Sequence, residues 1–203
     1  MPGDATEMPP YARAVLGLIG TIMRSQGANL ERASQVVFES LRGGGVFHIF
    51  GSGHSHAVAE EAYHRAGGLV PVNVIQEVFL TPLTPPRVSG RLERIPGLAQ
   101  IILDGHDLRP GEILMVISNS GINAVPVEVG LEGKARGLTL IALTSVSHSR
   151  QAPLRHPGGK RLFEIADIVL DNCGEPGDGV VAYEGLAGRV GPTSLLAGAC
   201  IVN

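Results

Sequence analysis

Two kinds of apolar pattern alternate along this chain. In one, apolar residues recur every three or four positions, the period of a helix buried on one side. Ala14, Val15, Leu18, Ile19 and Ile22 follow that period after Pro9-Pro10, and Leu30, Ala33, Val36, Val37, Phe38 and Leu41 resume it. Gln26-Gly27-Ala28 interrupts the stripe and Gly43-Gly44-Gly45 ends it, so two helices are expected before the first strand. In the other pattern, four to six apolar residues run together without a polar face, as in strands buried on both sides of a parallel sheet. Such runs occupy 46–50, 70–75, 113–117, 138–143 and, more briefly, 168–170. Helical periodicity lies between them over 57–66, weakly over 92–103 where Pro96-Gly97 breaks it, and over 123–136. A last small-residue apolar helix starts at Pro192 and runs to Asn203. Strands alternating with helices predict an α/β domain around a parallel sheet.

In such sheets the functional edge lies past the carboxyl ends of the strands. The first strand runs into Gly51-Ser52-Gly53 and then into a helix. Glycines permit the tight turn, and the helix start offers unpaired N–H groups and a positive dipole end, a favourable place for a phosphate. The spacing is neither G-x-G-x-x-G nor G-x-x-x-x-G-K-[ST], which gives no support to a dinucleotide or nucleotide. Strand ends elsewhere add Gln76 and Glu77, then Ser118, Asn119 and Ser120, then Thr144 and Ser145. Hydroxyls gathered on one edge with Ser52 and Ser55 suit a sugar phosphate.

The 203 residues fit one domain, with 1–45 forming N-terminal helices and 46–203 the sheet-bearing part. A net charge of −3 with scattered Lys and Arg argues against nucleic acid as partner. Cys173 and Cys200 form no C-x-x-C pair, so neither a disulfide framework nor a zinc site is indicated. The start, M-P-G-D-A-T-E-M-P-P, lacks a signal-peptide pattern, and no apolar run approaches the roughly 18 residues of a membrane span. A cytoplasmic protein with no membrane partner is expected.

G-S-G-H-S at 51–55, G-E-I-L-M-V-I-S-N-S-G at 111–121, L-T-L-I-A-L-T-S at 138–145 and A-D-I-V-L-D at 166–171 together resemble the sugar isomerase (SIS) domain family. The resemblance covers almost everything after the N-terminal helices. It implies a three-layer α-β-α sandwich on a five-stranded parallel sheet, binding a phosphosugar without a cofactor, and assembled as a homodimer or homotetramer. The implied phosphate-binding residues are Ser52, Gly53, Ser55, Ser118, Asn119, Ser120, Thr144 and Ser145. The first loop is similar to that of phosphoheptose isomerases, and G-P-T-S-L-L-A-G at 191–198 to a segment of N-acetylmuramic acid 6-phosphate etherases. Phosphoheptose isomerases carry a His six residues and a Glu ten residues beyond the loop serine, positions held here by Glu61 and Arg65. The etherases have their catalytic acid at the position of Arg65. The binding loops are kept and the chemistry is changed. The family also continues beyond the point where Asn203 stands.

Aldose–ketose isomerisation needs a base that moves a proton between adjacent carbons. On the helix after the loop, His54, Val58, Glu61 and Arg65 fall on one stripe and His56, Glu60 and His64 on another. A metal shared by His56 and His64 fails on distance, since eight residues span about 12 Å of helix, and no metal is expected. The catalytic candidates are Glu61, with His54 on its stripe, and Glu77 at a strand end. His148, Arg155, His156 and Lys160, in the polar stretch 147–160, are candidates for a lid over an anionic substrate. The reading is a phosphosugar isomerase, with a phosphosugar sensor or a lyase or etherase as alternatives. Tyr11, Leu18 and Ile22 are expected to leave an apolar patch that a second copy covers.

Overall fold

The structure, a computed structural model, describes residues 8–203; residues 1–7, which the sequence places ahead of the first helix, lie outside the described residues. Five strands, β1 (Phe47–Gly51), β2 (Val72–Ile75), β3 (Ile113–Ile117), β4 (Thr139–Thr144) and β5 (Ile168–Asp171), form one sheet in the order β2-β1-β3-β4-β5. Every pairing is parallel. The chain steps from β1 outward to β2, then returns to place β3 on the other side of β1. Two crossovers therefore diverge above the carboxyl ends of β1 and β3, which opens a crevice there.

Side chains alternate across the sheet. One face carries Phe47, Ile49, Ile113, Met115, Ile141 and Leu143 beneath α1 (Pro10–Arg42), α2 (His56–Glu61) and α8 (Ser194–Val202). The other carries Phe50, Ile75, Leu114, Val116, Leu140 and Ala142. It lies beneath α4 (Leu98–Leu103), α5 (Ala124–Ala135) and α7 (Leu162–Ile165). The remaining helices are α3 (Pro86–Leu92), beside the turn that follows β2, and α6 (Val146–Gln151), directly after β4. The result is the expected α-β-α arrangement around a five-stranded parallel sheet.

The two expected N-terminal helices are one helix of 33 residues. A single interior glycine costs only about 1 kcal/mol relative to alanine, too little to stop a helix whose two halves pack on the same sheet face. The interruption is a docking point instead: the Gln26 side-chain oxygen accepts the Asp171 amide (3.2 Å) at the end of β5. Ile22 is fully buried and Leu18 packs against the core, while the Tyr11 hydroxyl donates to the Pro192 carbonyl (2.6 Å). The apolar patch expected from Tyr11, Leu18 and Ile22 is thus covered within the chain. The large exposed apolar residues of α1 are Leu16, Met23 and Phe38.

The helix expected over 57–66 stops at Glu61, and His64 turns into the left-handed region at φ 44°. A two-stranded antiparallel ribbon, β6 (Gly179–Val181) with β7 (Val190–Pro192), was not legible as strands. Among the described residues, no helix is long and apolar enough to cross a membrane.

Candidate functional site

At the end of β1 the backbone turns so tightly that a Cβ on Gly51 would stand 2.5 Å from the Ser55 carbonyl oxygen. Gly53 follows at φ 56°, and the mirrored loop after β3 has Gly121 at φ 58°. Both loops need glycine where an L side chain is strained. The second loop is held from below. The Gly121 amide donates to Ser118 Oγ (3.1 Å), the Ser118 amide to the Leu143 carbonyl (3.0 Å), and the Ser145 amide to the Asn119 carbonyl (3.1 Å). Thr144 Oγ1 donates to that same carbonyl (3.2 Å). Ser145 Oγ donates to the Gly174 carbonyl (2.6 Å) and accepts the His148 amide (3.1 Å). Thr144 and Ser145 are fully buried, and their hydroxyls fix the loops after β3 and β5.

Ser149 Oγ, against Gly121 of the second loop, is buried with no hydrogen-bond partner among the described residues, and two half-buried hydroxyls of the loops are also unpaired. Ser55 Oγ and Ser120 Oγ have no hydrogen-bond partner among the described residues, nor have the amides of Asn119 and Ser120. Both serines are half-buried. Ser55 lines a small crevice with His54, Asn119, Asn172 and Ser194. Asn172 donates from Nδ2 to Asn119 Oδ1 (2.9 Å), fixing the Asn119 side chain. Free donors on two loops at one edge of the sheet are suited to holding an anion.

A carboxylate absent from the sequence expectations stands on this edge. Glu93, just past α3, accepts Ser52 Oγ on one oxygen (2.6 Å) and Asn123 Nδ2 on the other (2.8 Å). Its backbone carbonyl takes the Val125 amide (3.0 Å) in the first turn of α5. Arg155 Nη1 reaches Asn123 Oδ1 (3.3 Å) from the loop after α6. Nothing in R-L-E-R at 91–94 separates Glu93 from a solvent-exposed glutamate. Asn172 and Ser194 were also missed, being single polar residues without a motif.

The predicted acids are placed differently. Glu61 pairs with Arg65 and accepts Asn203 Nδ2 (3.1 Å). It lines an apolar groove of about 400 Å³ with Leu30, Val37, Phe47 and Val72, nearer the amino ends of β1 and β2 than the serine loops. Its stripe-mate His54 is at the crevice, so the structure separates the two. Glu77 is half-buried at the carboxyl end of β2, within electrostatic reach of His106.

Of the lid candidates, only Arg155 meets the site. His148 Nδ1 accepts the Gly177 amide (2.8 Å), His156 stands beside Glu128 (4.0 Å), and Lys160 is exposed. Among the described residues, no group of three or more His, Cys, Asp or Glu is placed to hold a metal.

The SIS domain pattern matches residues 10–145, which include both serine loops, Glu93 and Asn123. The chain belongs to the SIS domain family. A UPF0309 protein of Geobacillus kaustophilus is 38% identical over 185 residues, covering 90% of this chain and 72% of that protein, so this SIS protein is also a member of the UPF0309 family. Among solved structures, a phosphoheptose isomerase from Neisseria gonorrhoeae superimposes with TM-score 0.62 at 16% identity, covering 95% of this chain and 90% of that one. The Vibrio vulnificus NanR protein, complexed with ManNAc-6P, does so with TM-score 0.56 at 15% identity, over 95% of this chain and 57% of that one. At these identities the likeness is one of fold. The SIS fold is a phosphosugar-binding fold, and this chain has its layers, strand order and loops.

Away from this edge, a second polar cluster is buried near the amino ends of the strands. Glu112 accepts the Val46 amide (3.1 Å) on one oxygen, and the Arg109 amide (2.9 Å) and His48 Nε2 (2.8 Å) on the other. Asn73 Nδ2 then donates to His48 Nδ1 (3.0 Å) and to His106 Nδ1 (3.3 Å). Burial alone would raise the Glu112 carboxyl, but these three hydrogen bonds hold it below the usual carboxylate range. Burial pushes the His106 imidazole below its ordinary value against the pull of Glu77, and His48 adds to the lowering.

Proposed function

We propose that this protein binds the phosphate of a sugar phosphate at the carboxyl edge and interconverts an aldose phosphate with its ketose. The observation that carries the reading is the presence of unpaired donors on the two loops that follow β1 and β3, with Ser55 and Asn119 lining one crevice. Ser55 Oγ, Ser120 Oγ and the Asn119 and Ser120 amides have no partner among the described residues, while the Ser52, Ser118, Thr144 and Ser145 hydroxyls beside them are satisfied internally. Buried polar groups are ordinarily paired, so a cluster of free donors in well-braced loops suits a ligand that supplies acceptors. Gly53 and Asn119 shape the loops, and Ser52, Ser118, Thr144 and Ser145 brace them. The NanR complex with ManNAc-6P supports a phosphosugar as the ligand class in this fold.

A sensor without turnover is the second reading, favoured by the removal of Glu61 from the serine loops. Homodimer or homotetramer assembly belongs to the same proposal, with Leu16, Met23 and Phe38 of α1 as the exposed apolar surface to be covered. Calorimetric titration with pentose, hexose, amino-sugar and heptose phosphates tests the reading. At least one should bind at a single site per chain and be displaced by inorganic phosphate. If none binds at millimolar concentration, the phosphosugar reading is wrong. Formation of the matching ketose or aldose separates isomerase from sensor.

A further inference from the structure

We infer that Glu93 is the group that moves the proton in this reaction, and that Ser52 and Asn123 position it. The inference rests on the isomerase reading above. Ser52, at the end of β1, and Asn123, at the start of α5, are both nearly inaccessible to solvent, and the carboxylate joins the loop after β1 to the loop after β3 through them. One donor on each oxygen leaves further lone pairs on both, so the carboxylate is oriented without being saturated.

Asn123 is the N-cap residue of α5, yet its side chain makes no capping hydrogen bond. An asparagine there ordinarily accepts an amide from the first turn, a contact worth about 1 kcal/mol. Here the Glu93 backbone carbonyl takes the Val125 amide instead, which releases the Asn123 side chain to hold the Glu93 carboxylate and Arg155. Glu93 is therefore pinned by backbone and side chain at once.

No Lys, Arg or His forms an ion pair with Glu93 among the described residues, whereas Glu61 is paired with Arg65. A base must be held in place, accessible and not neutralised by a cation. Glu93 meets these conditions on the same edge as Ser55 and Ser120, and Glu61 does not.

The step balances without a co-reactant. Glu93 takes the proton from C2 of the open-chain aldose phosphate. The C–H electrons form the C1=C2 double bond, and the carbonyl electrons go to O1. The proton on O2 passes to O1, the carbonyl re-forms at C2, and Glu93 returns its proton to C1. The product is the ketose phosphate, with the carboxylate regenerated.

Loss of the substrate C2 proton in D2O, followed by NMR with the sugar phosphate that binds best, tests the assignment in the full chain. The parent should exchange that proton. Glu93→Gln should bind within a few-fold of the parent and exchange about 10²–10⁴-fold more slowly. Glu93→Asp keeps a carboxylate drawn back by one methylene and should fall between the two. Asn123→Ala should lower the exchange rate at saturating substrate while leaving affinity within a few-fold, which a merely structural role would not do. Exchange by Glu93→Gln at the parental rate overturns the inference and leaves the isomerase reading standing. If Glu93→Gln does not fold, parental exchange by Glu93→Asp overturns it equally. A parent that binds a sugar phosphate but exchanges nothing overturns the inference and the isomerase reading together, leaving a sensor.

Discussion

Glu112→Gln is expected to be among the more damaging isosteric changes to this fold. Glu112 is 5% exposed and accepts three hydrogen bonds from buried or half-buried donors. A glutamine has one acceptor oxygen. Placed toward His48 and Arg109, it turns its amide against the Val46 N–H; placed toward Val46, it opposes the other two donors. Reversing the His48 tautomer does not help, because Nδ1–H would then face the Asn73 amide. At least one N–H is stranded, at a cost of about 1–3 kcal/mol, and the surviving bonds lose their charge assistance, roughly 1 kcal/mol each. Relief of the buried charge offsets part of this. The net is about 2–4 kcal/mol, or roughly 5–15 °C in melting temperature at 2–4 °C per kcal/mol for a domain of this size.

Circular dichroism melts at pH 7 and pH 4 provide the assay. The folded-state carboxyl of Glu112 is lowered from 4.5, so its contribution is present above that pH and is lost as pH falls through the folded value. The gap between parent and variant should accordingly narrow in acid. His106, lowered from 6.5, also stabilises the fold above that value and loses its contribution as pH falls, in both proteins alike. A variant melting within about 2 °C of the parent at pH 7 would refute the hydrogen-bond count. A gap that widens in acid would refute the sign.

Ser120→Ala should weaken sugar-phosphate binding by roughly 1.5–3 kcal/mol in calorimetry without lowering the melting temperature, since its hydroxyl bonds to none of the described residues. Glu61→Gln should leave C2-proton exchange within a few-fold of the parent, because its carboxylate faces Arg65 and Asn203 rather than the serine loops. Gly51→Ala sets a Cβ 2.5 Å from the Ser55 carbonyl, so the loop must shift, with a loss of about 1–3 kcal/mol in denaturant unfolding and of phosphosugar binding.

The sheet was legible because its central strands are short apolar runs buried on both faces, and the sequence boundaries for 113–117 coincide with β3. The serine loops were legible because glycine at 51, 53 and 121 marks where the backbone must turn. Helix continuity at Gln26-Gly27-Ala28 was not, because whether a glycine breaks a helix depends on packing of both flanks, and that packing is tertiary. Periodicity likewise put Glu61 on a stripe with His54, but α2 carries the chain away from the loop, so that His54 lines the crevice at its start and Glu61 the apolar groove at its end. Glu93 carries no local signal at all. Its place beside Ser52 and Asn123, 41 and 30 residues away, exists only once the strand order is in place.

Mapping of ¹H–¹⁵N shifts during titration with the best-bound sugar phosphate tests the central claim most directly. Saturable shifts should centre on the amides of Gly53, His54, Asn119 and Ser120 and be shared by inorganic phosphate, with further shifts at Glu93 and Arg155 for the sugar phosphate alone. Shifts that instead centre on the groove lined by Leu30, Val37 and Glu61, leaving both serine loops unmoved, would contradict it.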